Sequence, residues 1–368
     1  MPETIAPAPP RHLDYLDSAR GIAALMVMVY HYINWKYDHH TVVKLASIVF
    51  NGNDAVSFFF VLSGFVLSYK YIVLQQPLDI RKFYITRFFR LWPAYFVVIF
   101  FTVLNGIRYD LSFHNLINVF ILNKKQFWEE AILVRGHPLY YVPGWTLVIE
   151  LAMSFFIPFY VVLAKKGWQI ILWLFLAYVL SGDTSFYFHF ILGVMISCIF
   201  VKVRNSSFKE TKWYSFRYLI LAVAVALFSI RQIDKLYQLG PTYTYIAGYL
   251  GINFFHYTGI ASFVFIIAII ISNNTRKILR YKPLLFLGKI SYGIYLVHWV
   301  LVVDIFFYWE GRIRPLFPNT ASAFIIMFCI YTVMVIALAT ILHYAIELPF
   351  IKLGKRLAQR MKPSLVID

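Results

Sequence analysis

Residues 14–31 read DYLDSARGIAALMVMVYH and open the first long apolar segment of the chain. This segment carries Arg20 near its beginning and His31 near its end. At about 100° per helical residue the two side chains return to nearly the same face, roughly 16 Å apart along the axis. Two titratable groups on one stripe of a membrane helix are costly unless they face a polar cavity or a partner. The stretch therefore predicts a membrane helix with one polar face.

The composition of the whole chain is typical of a polytopic membrane protein. Hydrophobic residues make up 61% and charged residues 14% of its 368 residues, whereas soluble domains are about 45–50% apolar. Runs of about 20 apolar residues can cross a bilayer, and we place about ten of them. These runs lie near 15–36, 53–75, 87–107, 143–164, 168–182, 185–203, 214–231, 243–272, 284–308 and 320–346. The predicted fold class is an all-α, integral membrane helical bundle.

The distribution of lysine and arginine sets the predicted orientation. The net charge is +17, and most basic residues fall in one alternate set of loops. The positive-inside rule makes that set cytoplasmic and places both termini in the cytoplasm. This pattern is a topology signal and does not indicate a nucleic-acid partner. We expect a disordered tail over 1–13, a membrane domain over 14–350 and a basic cytoplasmic tail over 351–368.

Several classes of chemistry lack support in the sequence. Cys198 and Cys329 both lie in apolar runs, so neither a disulfide framework nor a cysteine-based metal site is indicated. CxxC, HExxH, Walker and GxGxxG elements are missing from the chain, and we therefore predict no metal and no tightly bound cofactor. Ser63 has no GxSxG elbow around it. With Gly64 it instead predicts close packing of helices.

His31 and Asp54 have two interpretations each. His31 is either a histidine hydrogen-bonded inside the bundle or a general base that takes a hydroxyl proton near neutral pH. Asp17 and Arg20 are three residues apart and are expected to pair. Asp54 is either the N-cap of the second span or a carboxylate that orients His31.

The third and fourth spans carry charges at or inside their apolar runs. Arg87 and Arg90 share one helical face, where they either anchor the span at the cytoplasmic edge or clamp a phosphate group. Glu150 lies about two turns inside the fourth span. A buried carboxylate is costly without a partner, so we expect Glu150 to meet an arginine, a histidine or a substrate hydroxyl.

Four further polar or aromatic residues are candidates for supporting roles. Trp145 is either an interfacial belt aromatic or a ring that stacks on a sugar. Ser291 and Tyr292 are polar groups that either pack inside the bundle or contact the acceptor. His298 lies on the same predicted span and is a second candidate catalytic residue. The longest connection, over 108–142, is expected to be partly helical or functional.

Six motifs occur in a fixed order along the chain: LDSARGIAALMVMVYH, DAVSFFFVLSGFVLS, RFFRLWPAY, PGWTLVIE, LGKISYGIYLVH and YAIELP. Together they resemble the membrane acyltransferase-3 family over about residues 13–350. Members of this family are bacterial inner-membrane proteins with a ten-helix unit that O-acylate sugars. Some members add a periplasmic SGNH hydrolase-like domain, and this chain resembles the stand-alone type.

The resemblance implies roles for the charged residues. His31 matches the essential histidine of the family, and Arg20 matches the arginine of the same motif. Arg87 and Arg90 match the RxxR pair that handles the acyl-CoA donor. In the family, Asp54 and Glu150 correspond to the acidic positions of the second and fourth motifs, although Gly-Asn replaces the familiar Gly-Val before Asp54. The SYxxYLxH element contains Ser291, Tyr292 and His298.

The function implied by the resemblance is transfer of an acyl group, with acetyl preferred, from cytoplasmic acyl-CoA to a sugar hydroxyl of a surface or exported glycan. This is the chemistry of acyltransferases that move groups other than aminoacyl groups. The expected partners are acyl-CoA, a glycan or lipid-linked sugar, and membrane lipids. His31 would deprotonate the acceptor, with Asp54 or Glu150 fixing its tautomer.

Three other readings stay open at the level of sequence. A sugar or lipid transporter or flippase would also need polar residues in its spans, but it usually shows broken-helix repeats. A purely structural or sensory membrane protein has no evident need for Arg20, His31, Arg87, Arg90 and Glu150. An acyltransferase acting on a small molecule or a membrane lipid is the enzymatic alternative. The sequence does not indicate an oligomeric state.

Overall fold

A computed structural model describes residue 10 and residues 12–35, 41–107, 124–180, 186–204, 215–237, 254–361 and 366–367. Within these ranges the chain is almost entirely helical, which confirms the all-α fold class. One short antiparallel ladder pairs β1 (Leu78–Asp79) with β2 (Val366–Ile367).

The helices differ widely in length. In chain order they are α1 (Asp14–Asn34), α2 (Thr41–Val49), α3 (Gly52–Ile72), α4 (Ile80–Ile107), α5 (Lys124–Ala131), α6 (Gly144–Lys166), α7 (Trp168–Leu180), α8 (Tyr187–Arg204), α9 (Arg217–Tyr237), α10 (Phe254–Ile271), α11 (Asn273–Leu279), α12 (Lys282–Asp304), α13 (Glu310–Ile313), α14 (Thr320–Leu342) and α15 (Leu348–Arg360). Two π-helical segments, Ile305–Trp309 and His343–Glu347, and a 3-10 turn, Arg314–Leu316, join the last of these helices.

Of the described helices, five are long and apolar enough to cross a membrane. They are Leu45–Ile72, Ile80–Asn105, Gly144–Lys166, Lys282–Asp304 and Thr320–Arg360. A sixth arises if α10 and α11, which meet at 94°, form one broken span. Helix α7 has only 13 residues and extends roughly 20 Å, less than the thickness of a bilayer core. The count of about ten spans and the cytoplasmic termini therefore stay predictions.

The long connection and the eighth predicted span lie partly outside the described residues. Of the long connection predicted over 108–142, residues 108–123 lie outside, and the described remainder contains the short helix α5. Of the span predicted over 243–272, residues 243–253 lie outside, and the described remainder forms most of α10. The helical content expected in the long connection is therefore present in its described part.

The chain divides into two compact units. Unit 1 comprises Met1–Ile80, Met153–Gly288 and Leu365–Asp368, and unit 2 comprises Arg81–Ala152 and Lys289–Ser364. Unit 1 holds α1, α3 and the helices from α7 to α11. Unit 2 holds nearly all of α4 together with α5, the first part of α6, most of α12 and the helices that follow it.

The core of unit 1 forms where α3 crosses α8. A Cβ atom on Gly64 would overlap the Phe190 carbonyl oxygen, and one on Gly193 would overlap the Val61 carbonyl oxygen. Only glycine permits such an approach of two backbones. One turn away, the Ser68 and Ser197 hydroxyls are 2.7 Å apart. The close packing predicted at Gly64 is confirmed.

The described chain begins before the predicted start of the membrane domain. Residues 1–9 and 11 of the predicted tail lie outside the described residues. The Tyr69 hydroxyl donates a hydrogen bond to the Pro10 carbonyl at 2.9 Å. Leu13 is only 7% exposed. These contacts attach Pro10 and Leu13 to the body of unit 1.

The segment predicted as a basic tail over 351–368 contains regular structure. Most of it belongs to α15, which continues the apolar helix α14 through a π-helical segment. Gly354 is buried in unit 2, where a Cβ atom would lie 2.5 Å from Cβ of Phe89. Beyond α15, Val366–Ile367 forms the ladder with β1. The described part of this segment is therefore packed and hydrogen-bonded.

Candidate active site

The charged end of α1 is organised around the Asp17 carboxylate. The Arg20 guanidinium donates a hydrogen bond to Asp17 Oδ1 at 2.5 Å, as the spacing of three residues predicts. The other carboxylate oxygen of Asp17 lies 3.0 Å from Nε2 of His12. This hydrogen bond raises the pKa of His12 above its ordinary value of 6.5. Two groups that can carry positive charge therefore share one carboxylate.

A cavity of about 200 Å³, lined by both apolar and charged side chains, opens beside this cluster in unit 1. Its lining includes His12, Asp17, Arg20 and Lys70. Arg20 and Lys70 exceed the single negative charge of Asp17, and protonated His12 adds to that excess. A concave surface with surplus positive charge attracts anionic ligands. Arg20 thus borders a cavity that also has other charged side chains in its lining, whereas His31 is not among the residues that line it.

The imidazole of His31 is oriented by its own helix. Nδ1 of His31 lies 2.9 Å from the Val27 carbonyl oxygen. A carbonyl oxygen only accepts hydrogen bonds, so Nδ1 carries the hydrogen and Nε2 is the basic nitrogen of the neutral ring. The ring is half-buried and meets the edge of Tyr30 at a centroid distance of 5.6 Å. The Val27 carbonyl thereby favours this tautomer, and the orienting role of Asp54 or Glu150 stays a prediction.

Asp54 is not the N-cap of α3, so that prediction was wrong. The cap is Asn51, whose side-chain oxygen accepts a hydrogen bond from the Asp54 backbone N–H at 3.2 Å. Asn51 has the non-helical backbone that a cap requires. Its amide also donates to the Asp54 carboxylate and, at 3.1 Å, to the Phe228 carbonyl. Asp54 is fully buried in the first helical turn, where a negative charge suits the helix dipole.

A second cavity borders α1 on a different face. It encloses about 300 Å³, and Ala19, Ile22, Ala23 and Met26 line it together with apolar residues of α2, α3, α9, α10 and α11. These α1 positions lie about 60° to 160° around the helix from Arg20, with their centre near 110°. The apolar cavity is therefore separate from the stripe that carries the candidate functional groups.

In unit 2, Glu150 forms a salt bridge with Arg87. The two side chains are only 20% and 12% exposed. The expectation that Glu150 meets an arginine, a histidine or a substrate is thus met by an arginine. A guanidinium has five N–H donors, so binding one carboxylate leaves capacity for a second anion.

Arg90 pairs with a second acid, Glu347. Arg90 Nη1 lies 3.4 Å from Glu347 Oε1, and His343 Nδ1 lies 2.8 Å from Glu347 Oε2. Glu347 is 1% exposed. His343 and Glu347 bound a π-helical segment, where Pro349 lacks the N–H that an α-helix would bond to the Ala345 carbonyl. Such segments are frequent at functional sites.

Tyr292 completes this polar group. Its hydroxyl donates a hydrogen bond to the Leu91 carbonyl at 2.7 Å, and it lies close enough to Glu150, Glu347 and Arg90 to interact with their charges. We call the whole set the arginine cluster. It consists of Arg87, Arg90, Glu150, Tyr292, His343 and Glu347. Sequence reasoning assigned no role to His343 or Glu347, although an acid inside an apolar span was a usable signal.

The remaining candidates lie in the packed interior of unit 2. His298 is fully buried, with Nδ1 2.7 Å from the Tyr295 carbonyl oxygen, and its catalytic role stays a prediction. Ser291 is 1% exposed, and Trp145 is half-buried in the first turn of α6. Among the residues that the structure describes, no group of three or more His, Cys, Asp or Glu side chains is placed to hold a metal ion.

These features define a helical membrane protein with charged and titratable groups buried along its apolar helices. Residues 13–344 match the acyltransferase-3 family, described as an acyltransferase domain, and the chain belongs to this family. It is 25% identical over 405 aligned positions to proteins named "Putative O-acetyltransferase" in Staphylococcus aureus strains COL, MSSA476 and MW2. The alignment covers 97% of this chain and 60% of each relative. No solved structure was found to match the chain.

Proposed function

We propose that this protein is an integral membrane O-acyltransferase of the bacterial inner membrane. It moves an acyl group, which we expect to be acetyl, from cytoplasmic acyl-CoA to a sugar hydroxyl of a surface or exported glycan. The observation that carries the proposal is the orientation of His31, whose Nδ1 is held by Val27 so that Nε2 is the basic nitrogen. Membership of the acyltransferase family and the names of the relatives support it.

In the proposed reaction His31 acts as general base. Nε2 takes the proton of the acceptor hydroxyl while the hydroxyl oxygen forms a bond to the thioester carbonyl carbon. The carbon–sulfur bond then breaks, and the CoA thiolate takes the proton from His31, so the imidazole ends neutral. A positioned general base contributes about 10²- to 10⁴-fold to a rate. The catalytic roles of Asp54 and Glu150 stay predictions.

Binding of the acyl-CoA donor is assigned to Arg20, Arg87 and Arg90. Arg20 and Lys70 both border the cavity beside Asp17 in unit 1, where their positive charges would attract an anionic part of acyl-CoA. Arg87 and Arg90 are assigned to the donor phosphates, which planar guanidinium groups bind through charge-assisted hydrogen bonds. Their carboxylate partners orient these guanidiniums before the donor arrives.

The first test combines cells and purified protein. Mass spectrometry of surface glycans from a deletion strain should show the loss of an acetyl group that the wild-type gene restores and a His31→Ala gene does not. Purified protein should consume acetyl-CoA with release of free CoA. Unchanged glycan acetylation in the deletion strain, together with no thioester turnover, would contradict the proposed function.

One observation favours a second candidate function. Helices α10 and α11 meet at 94° after a short break, and broken helices are common in secondary transporters. A sugar or lipid transporter would move its cargo without consuming a thioester. Release of CoA that requires His31 therefore separates the enzyme from the transporter. A small-molecule or lipid acceptor would instead leave the glycans unchanged while CoA release continued.

A further inference from the structure

A third cavity lies in unit 2 at the C-terminal ends of α4 and α12, away from the arginine cluster. It encloses about 290 Å³. Its walls combine aromatic rings with an acid, an amide and a hydroxyl. The residues that matter here are Thr102, Asn105, Tyr140, Trp299, Asp304 and Tyr308. We call it the Asn105–Asp304 pocket.

The polar groups of this pocket form a hydrogen-bonded pair. Asn105 Nδ2 donates to Asp304 Oδ1 at 2.6 Å. A carboxylate accepts about four hydrogen bonds and an amide oxygen about two, so the hydrogen bond between Asn105 and Asp304 by itself does not use up what these side chains can accept. These acceptors are held in place by each other. Such an arrangement suits a ligand rich in hydroxyl groups.

The aromatic walls of the pocket suit the apolar face of a hydroxyl-rich ligand such as a sugar. Tyr140, Trp299 and Tyr308 line the same pocket as the pair. Aromatic side chains offer flat apolar surfaces, with a polar tip on tyrosine and tryptophan. A pyranose ring has an apolar face of C–H bonds and an edge of hydroxyls. Small-molecule sites generally combine aromatic walls with a few placed polar groups in this way.

The backbone around the pocket is built to keep its shape. Asp304 ends α12, and the π-helical segment that follows carries Tyr308. Glu130, which is 2% exposed, accepts hydrogen bonds from the backbone N–H groups of Leu139 at 2.7 Å and Tyr140 at 3.0 Å. The buried carboxylate thus fixes the loop that supplies the Tyr140 wall. A preformed pocket lowers the entropy cost of binding.

We infer that the Asn105–Asp304 pocket binds one sugar ring of the acyl acceptor. The volume of about 290 Å³ lies just below the range of about 300–1,000 Å³ for small-molecule sites, which suits a single ring. Asn105 follows Arg90 by 15 residues on α4, roughly 22 Å along the axis. The sugar pocket and the arginines assigned to the donor thus occupy opposite ends of one helix. The assignment of an acceptor rests on the proposed function.

The test measures sugar binding directly. Saturation-transfer NMR on the purified full chain uses methyl β-glucopyranoside, methyl β-N-acetylglucosaminide and methyl α-rhamnopyranoside as probes, and glycerol as an acyclic polyol. The detergent must have no sugar headgroup, because a maltoside would compete. Wild type should give a signal with at least one glycoside and none with glycerol. Trp299→Ala and Asp304→Asn should each weaken binding at least tenfold.

Two features of the design keep the result decisive. Trp309→Ala is the matched control, because Trp309 is 47% exposed and lies outside the described lining of the pocket. Asp304→Asn preserves size and the contact with Asn105, so it decides the question if Trp299→Ala does not fold. Three results would each overturn the assignment of this pocket to a sugar. They are no glycoside signal in wild type, unchanged glycoside binding in Asp304→Asn, and a loss of glycoside binding in Trp309→Ala equal to that in the pocket variants.

CoA release measured on the same preparations separates this inference from the proposed function. If acetyl-CoA is consumed but no glycoside binds, the sugar pocket is wrong and acyl transfer stands. If a glycoside binds through Asp304 and Trp299 but acetyl-CoA is never consumed, the pocket is a sugar site and the proposed function is wrong. Acyl transfer to the bound glycoside, with its KM raised at least tenfold by Asp304→Asn and the acetyl-CoA KM unchanged, supports both.

Discussion

The polar groups around α1 and those of the arginine cluster differ in where their partners lie along the chain. Arg20 binds Asp17 three residues away, and His31 binds the Val27 carbonyl four residues away. In the arginine cluster, by contrast, Arg87 binds Glu150, which is 63 residues away. The groups on α1 are held by their own helix, whereas the arginine cluster joins separate helices.

This difference predicts that the α1 groups contribute mainly to chemistry and the arginine cluster contributes also to folding stability. A side chain anchored to its own turn can be removed without detaching one helix from another, so its loss should affect chemistry more than folding. A buried ion pair between helices stabilises packing, and removing one partner leaves a charge uncompensated. We therefore expect variants of α1 to be stable and inactive, and variants of the arginine cluster to be unstable as well as impaired.

The α1 side of the comparison is tested most strongly by His31→Ala. We expect acyl transfer to fall by about 10²- to 10⁴-fold, because the general base is lost. Detergent-extracted yield and thermal stability should match wild type. The transfer rate is measured by release of CoA, with His137→Ala, at an exposed loop position, as the matched control. Transfer that persists in His31→Ala would remove His31 from the mechanism.

The cluster side is tested by Arg87→Gln, Glu150→Gln and the double variant. Each single change should destabilise the protein by about 3–5 kcal/mol, because it leaves a buried charge unpaired. The double variant should be more stable than the sum of the two losses implies. Thermal unfolding in detergent is the measurement.

The control for that pair is Glu129→Gln, which breaks the partly exposed pair of Glu129 with Arg135. Such surface pairs contribute about 0–1 kcal/mol. Additive losses in the Arg87 and Glu150 double variant would show that the two side chains do not stabilise each other.

A smaller loss of stability is expected when Glu347 is changed. This variant tests whether Glu347 supports donor binding or only packing. Glu347→Gln keeps the shape but removes the charge shared by Arg90 and His343, and a hydrogen bond to a charged group is worth about 1.5–3 kcal/mol. We expect lower thermal stability and a raised KM for acetyl-CoA. Glu310→Gln, at another buried acid of unit 2, controls for loss of any buried carboxylate. An unchanged acetyl-CoA KM would limit Glu347 to a structural role.

The smallest expected effect is a pH dependence of the acetyl-CoA KM, which arises from His12 at the cavity beside α1. The pKa of His12 is raised by Asp17, so the His12–Asp17 ion pair is complete below about pH 6.5. Its contribution is lost as pH rises through the raised pKa of the folded protein. We expect the acetyl-CoA KM to increase a few-fold over this rise, because the cavity loses one positive charge.

His12 is largely exposed, so the change is small. The pH profile of the acetyl-CoA KM is compared between wild type and His12→Gln. The variant should show the high-pH value throughout. The same pH step in His12→Gln as in wild type would assign that step to another group.

Sequence spacing was enough to predict the arrangement on α1. Arg20 and His31 fall on one stripe by helical period alone, and the Asp17–Arg20 pair follows from the spacing of three. One of the two interpretations of Asp54, the N-cap of α3, was wrong, because Asn51 and Asp54 are both good capping residues and only the backbone distinguishes them. Glu347 was quoted within a motif but given no role, since its partner Arg90 lies far away in the chain.

The sequence by itself determined the all-α class, the apolar character of the helices and the polar stripe of α1, because hydropathy and helical period act over neighbouring residues. The tertiary structure alone decided which acids Arg87 and Arg90 meet. It also brought Asn105, Tyr140 and Asp304 to one pocket. Such contacts join residues from distant parts of the chain, and their cost in chain entropy is met only when whole helices pack together.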